Sequence, residues 1–271
     1  MRIRSVVFAT ILLLVFAGPA TAGAAVKPKA LTNPSWSGYS VSPAKGTLSG
    51  STAVWRIPKV TCKSSGTQRA AVWDGLWGDN KSIKSGDAWL PQIGTDSQCS
   101  NGQATYFIVY QLYHGNASFC AFLPEWVFKR VCKGTKPIQL SSPEVHAGDL
   151  VQAAVEFTRK GKDGKLHFHL NLTDTSAGVY TDKYVKVDAG TDLSDVAGQG
   201  GAIVEDNSDK GGLAKFGAVK LSFVDYGKSK DYSVNDWQLK VGKTALATNS
   251  GFKYHGLGGA GSFTVTWNHE S

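Results

Sequence analysis

Leu166, Phe168, Leu170 and Leu172 occupy every second position of one stretch, with His167, His169 and Asn171 between them. A period of two puts the apolar side chains on one face of an extended strand and the polar ones on the other. Val219, Leu221 and Phe223 repeat the pattern, as do Phe263, Val265 and Trp267. Further strands are expected over 53–57, 70–76, 105–113, 150–158, 180–187 and 202–204, separated by clusters of Gly, Asn, Asp and Ser. No dozen-residue stretch keeps helical spacing, and the 31 glycines would cost a helix about 1 kcal/mol each. The pattern therefore predicts an all-β fold, an antiparallel β-sandwich of two packed sheets around one core, as a single domain over 34–271.

The N-terminus breaks this pattern. Arg2 and Arg4 precede an apolar run from Val6 to Ala17, and Ala20-Thr21-Ala22 offers small residues for cleavage. This is the layout of a secretory signal peptide, expected over 1–22, in a run too short to span a bilayer. Residues 23–33, small and proline-containing, are expected as a flexible lead-in. The exported part would be secreted and extracellular, with no membrane attachment after cleavage. Its four cysteines, Cys62, Cys99, Cys120 and Cys132, then predict two disulfides. Of the three connectivities, Cys62 with Cys99 and Cys120 with Cys132 is favoured, because the second pair brackets a short hairpin-like stretch.

With 42% hydrophobic and 18% charged residues the chain is neither disordered nor a multi-span membrane protein. Its formal net charge is +8, of which Arg2 and Arg4 supply two, and the remaining lysines are scattered. A nucleic-acid partner would call for a clustered basic stripe, so none is expected. His167 and His169 share one strand face and could ligate a metal, but no third ligand stands nearby, and no metal or cofactor is expected. A solvated sheet face is the simpler reading. No G-x-S-x-G elbow occurs and no cysteine is spare, which leaves carboxylates as the candidate chemistry. Asn116 and Asn171 head formal glycosylation acceptors.

Four segments in order, Ser35-Trp36-Ser37-Gly38-Tyr39, Trp55-Arg56-Ile57-Pro58, Trp73-Asp74-Gly75-Leu76-Trp77-Gly78 and Leu90-Pro91-Gln92-Ile93-Gly94-Thr95, carry a further signal. They resemble the opening motifs of the glutamic peptidases, or eqolisins. Val145-His146-Ala147-Gly148-Asp149, Ile203-Val204-Glu205-Asp206 and Phe216-Gly217-Ala218-Val219 continue the resemblance over nearly the whole exported chain. It implies a sandwich of two curved, seven-stranded sheets, lectin-like in architecture, and a secreted endopeptidase acting on extended polypeptide as a monomer. It also implies a catalytic dyad at Gln92 and Glu205. A carboxylate can take a proton from a water attacking a peptide carbonyl and return it to the departing amine. A side-chain amide can donate to the developing oxyanion, an effect worth about 3 to 4 kcal/mol. Trp36 and Trp73 align with groove tryptophans of the family, and Trp77 and Gln111 are expected beside them as substrate contacts.

The chain departs from the family in several places. Trp77 stands where a groove aspartate is usual, Gln111 where a glutamate is usual, and Gly200-Gly201-Ala202 lacks a customary carboxylate. Family members are typically acidic and acid-active, whereas this chain is basic. Fewer neighbouring carboxylates predict that Glu205 stays ionised to lower pH. Two other readings remain beside the peptidase: a non-catalytic lectin-like module binding carbohydrate or peptide, and an inert relative whose groove has drifted.

Overall fold

The computed structural model describes residues 27–115, 135–188, 190–206, 212–227, 229, 231–254 and 260–269. The expected signal peptide and the Cys120–Cys132 pairing lie outside the described residues. In chain order the strands are β1 (Lys29–Asn33), β2 (Trp36–Pro43), β3 (Leu48–Arg56), β4 (Thr67–Trp77), β5 (Trp89–Ser100), β6 (Gln103–His114) and β7 (Ile138–Leu140). They continue with β8 (Leu150–Lys160), β9 (Leu166–Asp174), β10 (Val179–Val187), β11 (Gln199–Glu205), β12 (Ala218–Gly227) and β13 (Tyr232–Val241). The short strands β14 (Thr244–Ala245), β15 (Ala247–Asn249) and β16 (Lys253–Tyr254) precede β17 (Gly261–Trp267). Helices α1 (Asn80–Ser85) and α2 (Ser194–Ala197) are short, and no described helix is long and apolar enough to cross a membrane.

Two sheets form the sandwich. The first runs β1-β13-β2-β11-β4-β5-β6-β7, with β14 added on β13; the second runs β10-β9-β8-β3-β12-β17-β15, with β16 added on β17. The resemblance implies seven strands in each, but the sheets have nine and eight, because short strands extend their edges. One of these is β1. Residues 29–33, expected within a flexible lead-in, pair in parallel with Asn235–Leu239 of β13. Pairing satisfies backbone groups that would otherwise be left to solvent at the sheet edge.

The period-two segments land as the pattern predicts. Leu166, Phe168, Leu170 and Leu172 of β9 are buried, together with Val219, Leu221 and Phe223 of β12 and Phe263 and Val265 of β17. They meet Ala70, Val72 and Leu76 of β4 and Ala202 and Val204 of β11 in the inter-sheet core. Burying such a side chain contributes roughly 1.5–3 kcal/mol. Central strands β4 and β11 are buried on both faces, because their other side carries a second cluster: Trp36, Ala71, Trp73, Trp77, Leu90, Tyr113, Ile203 and Trp237. The first sheet is thus an apolar layer between the core and a tryptophan-rich outer surface. A Cys62–Cys99 disulfide ties the segment before β4 to the end of β5, as expected from the sequence.

Candidate active site

Register explains how distant residues meet on that outer surface. Glu205, the last residue of β11, pairs with Trp36 of β2 on one side and Ala71 of β4 on the other, and Ala71 pairs with Asp96 of β5. Paired residues share a sheet face, so Glu205, Trp36, Ala71 and Asp96 point the same way. Two rows along, Gly201, Gly75, Gln92 and Gln111 form a parallel series across β11, β4, β5 and β6. Glu205, Gln92 and Gln111 together line one shallow, open cleft. Its remaining walls are Ala71, Trp73, Ile93, Gly94, Val109, Tyr110 and Pro137, apolar or aromatic except for backbone.

Glu205 is held from both sides. The indole Nε1 of Trp36 donates to Oε1 at 3.0 Å, and Nε1 of Trp73 donates to Oε2 at 2.8 Å. Trp36 is itself fixed at the entry to β2, where the Asn33 side chain accepts from the backbone N–H groups of Ser35 and Trp36 at 2.8 and 2.9 Å. Beyond Glu205 the chain is anchored by the N–H of Asp206 donating to Ser35 O at 2.8 Å. The carboxyl is pushed up to about 7. Burial among protein atoms is the chief cause, the two indole donors oppose it, and Asp96 and Asp206 add to it. This reverses the expectation that Glu205 stays ionised to lower pH: desolvation outweighs the loss of neighbouring carboxylates.

Close approach of β4 and β5 depends on two glycines. A Cβ on Gly94, opposite Trp73, would lie 2.1 Å from Val72 O and 2.6 Å from the Trp73 Cβ. One on Gly75 would lie 3.2 Å from the Gln92 Cβ. Gln92 donates from Nε2 to Gln111 Oε1 at 2.8 Å, and Gln111 donates from Nε2 to Thr135 O at 2.8 Å. Both ends of the Gln111 amide are therefore engaged by protein.

The tryptophans divide. Trp73 lines the cleft, whereas Trp36 and Trp77, expected as substrate contacts, are not among its lining residues. Trp36 packs edge-to-face on Trp73, Trp77 and Trp237 at 5.2, 5.9 and 5.5 Å, and Trp77 on Trp73 at 5.9 Å. Rings from β13, β2 and β4 fill one another's space over β11, and edge-to-face pairs are favoured by about 0.5–1.5 kcal/mol beyond area. Trp77, standing where the family has an aspartate, is 2% exposed and belongs to this support.

Several contributors are missed by sequence reasoning. Trp237 sits on β13, a segment without an assigned strand, and its Nε1 donates to Ser40 Oγ at 2.9 Å. Asp96 is fully buried in an ion pair with Arg69 and accepts from Gln98 Nε2 at 2.9 Å. Its place, four residues after Gln92 and hence on the same face, was the available signal. Between the sheets, Asp74 and Asp225 are also fully buried, with Ser51 Oγ donating to Asp74 Oδ1 at 2.6 Å. His167 and His169 lie on the other sheet. Each faces an aspartate, His169 with Nε2 2.7 Å from Asp182 Oδ1 and His167 with Nε2 3.8 Å from Asp163 Oδ1. No group of three or more His, Cys, Asp or Glu converges among the described residues.

A sandwich whose outer sheet face carries a buffered carboxyl, two amides and an indole cluster has counterparts among known proteins. Residues 34–240 match the Peptidase A4 family, and the chain belongs to that family, the eqolisins or glutamic-type peptidases. Its class is therefore peptide hydrolase. The fold is similar to scytalido-glutamic peptidase with a transition-state analogue inhibitor, at TM-score 0.58 and 14% identity over 87% of this chain and 99% of that one. It is also similar to SCP-B, an eqolisin in complex with the tripeptide Ala-Ile-His, at TM-score 0.54, 17% identity and the same shares of each chain. No curated protein sequence matches the chain.

Proposed function

We propose that this glutamic-type peptidase is an exported endopeptidase that cuts extended polypeptide with Glu205 and Gln92 as its dyad. The observation that carries the reading is that the Glu205 carboxyl and the Gln92 amide open onto one cleft while two indoles each hold one oxygen of the carboxyl. Ionised Glu205 takes a proton from a water as its oxygen adds to the peptide carbonyl carbon. An N–H of Gln92 donates to the oxygen as it becomes negative. Glu205 then returns the proton to the nitrogen as the C–N bond breaks, leaving a new carboxyl and a new amine. The apolar walls of Trp73, Ile93, Val109, Tyr110 and Pro137 exclude bulk water from the reacting groups, which strengthens both interactions. Export is supported by the basic, apolar N-terminus and by the Cys62–Cys99 disulfide, a bond that persists in oxidising compartments. We take the active unit to be one chain, since all the residues of the reading come from it.

Casein hydrolysis in the presence of pepstatin, measured for wild type and Glu205→Gln, tests the reading. Wild type digests casein, and the variant loses about 10²- to 10⁴-fold, the range general acid–base catalysis supplies. Equal rates in the two proteins would remove Glu205 as the base of the reaction.

A further inference from the structure

The Gln92 amide can point either way along its own axis, and only one way serves an oxyanion. With its NH2 toward the substrate carbonyl it stabilises negative charge; with Oε1 there it repels it. A neighbouring group must decide between these orientations, which differ by little in shape. Oε1 of Gln92 is buried without a hydrogen-bond partner among the described residues, so it contributes nothing to the choice.

Thr135 supplies the decision. Its carbonyl can only accept, so the end of Gln111 that faces it, at 2.8 Å, must be Nε2. Gln111 Oε1 is thereby turned to Gln92, and the group it meets at 2.8 Å must be the Gln92 NH2. Flipping Gln92 would set two carbonyl oxygens against each other, and Gln111 cannot flip to relieve them. Thr135 itself is clamped to β6: its N–H donates to Leu112 O at 2.5 Å, and its Oγ1 accepts from the Leu112 N–H at 3.1 Å.

We propose that Gln111 is a positioning residue, an amide relay that carries the polarity of the Thr135 carbonyl to Gln92 and so fixes which end of Gln92 serves the reaction. One N–H of Gln92 is spent on Gln111 and the second is left for the substrate carbonyl oxygen. The relay also explains why glutamine occupies a position where the family's glutamate is usual: an ionised carboxylate has no hydrogen to give the Thr135 carbonyl. The proposal rests on the Gln92–Glu205 reading.

Steady-state kinetics on a fluorogenic peptide, for Gln111→Leu, Gln111→Glu and Gln92→Ala, with melting temperatures alongside, form the test. Gln111→Leu lowers kcat about tenfold or more while KM stays within about twofold, because orientation matters once charge develops. In Gln111→Glu the protonated carboxyl can both donate to Thr135 O and accept from Gln92, whereas the ionised form can only accept. Its kcat relative to wild type is therefore near one where that carboxyl is protonated and falls as pH rises through its titration, which enclosure and the Thr135 carbonyl raise above the ordinary carboxyl value of about 4.3. Glu205, Tyr110 and Lys136 are present in both proteins, so a pH dependence of the ratio reports the carboxyl introduced at position 111. A ratio that is flat with pH, or kcat of Gln111→Leu within twofold of wild type, overturns the relay. A purely structural role would lower the melting temperature and leave kcat per folded molecule unchanged, and that outcome also overturns it. Gln111→Glu keeps the residue's shape, so it decides the matter where Gln111→Leu does not fold. Unchanged kcat in Gln92→Ala removes the dyad reading itself, and the relay with it; a loss there with none in the Gln111 variants removes the relay alone.

Discussion

Trp73 donates its indole N–H to Oε2 of Glu205 at 2.8 Å although its paired residue on β11 is Ile203, two positions earlier. The bond runs diagonally across the sheet and, after that of Trp36, opposes the burial that raises the carboxyl. Trp73→Phe keeps a ring but removes the donor. A hydrogen bond to a charged group contributes about 1.5–3 kcal/mol, or roughly one to two pH units at about 1.4 kcal/mol per unit. Glu205 then titrates above about 7 by that amount, and the acid limb of the pH–kcat/KM profile moves up with it.

In wild type the same profile has a defined shape. A base pushed up to about 7 is mostly protonated in acid, so kcat/KM climbs about tenfold per pH unit from pH 4, bends near pH 7 and reaches its plateau above that. An enzyme equally active from pH 3 to pH 8 would show that Glu205 is not the base.

Stability runs the other way with pH. Burial raises Asp74 and Asp225 well above the usual carboxylate range, Asp225 raises Asp74 further, and Ser51 offsets part of the effect. The fold keeps protons that the unfolded chain releases from about pH 4 upward, so stability is full below that pH and declines as pH rises through the folded-state values. Glu205 adds in the same direction. Thermal melts should give a higher Tm at pH 4 than at pH 7.5. Asp225→Asn, which cannot ionise, should flatten that slope; an unchanged slope would assign the dependence elsewhere.

The Cys62–Cys99 bond closes a loop with a sequence separation of 37 residues. Chain-entropy reasoning gives such a closure about 4 kcal/mol. A Cys62→Ala/Cys99→Ala double variant should unfold at lower denaturant concentration by a corresponding amount, with kcat per folded molecule unchanged, since neither sulfur lines the cleft.

How far the sequence reaches depends on what each segment buries. β9 buries one face only, and its Leu-x-Phe-x-Leu-x-Leu pattern is plain. β5 buries both faces, and among its residues Gln92, Thr95, Asp96 and Ser97 are polar yet enclosed, with Pro91 and Gly94 interrupting. No alternation survives there, and only the resemblance marks Gln92. β13 hides its strand behind Asn235 and Asp236, and with it Trp237. Glu205 is visible as a residue but not as an acid of raised pKa, because counting neighbouring charges omits the burial that dominates it. Gln111 is visible as a departure; its partner Thr135 becomes apparent only when β6 brings them together.

Gly94 brings no reactive group to the cleft, yet β4 and β5 can close only because its side chain is missing. Any larger residue would lift Trp73, and through Trp73 would loosen the grip on Glu205. A saturation screen scored by hydrolysis alone would therefore rank this chemically silent position next to the carboxylate itself, and a search confined to functional groups would pass over it.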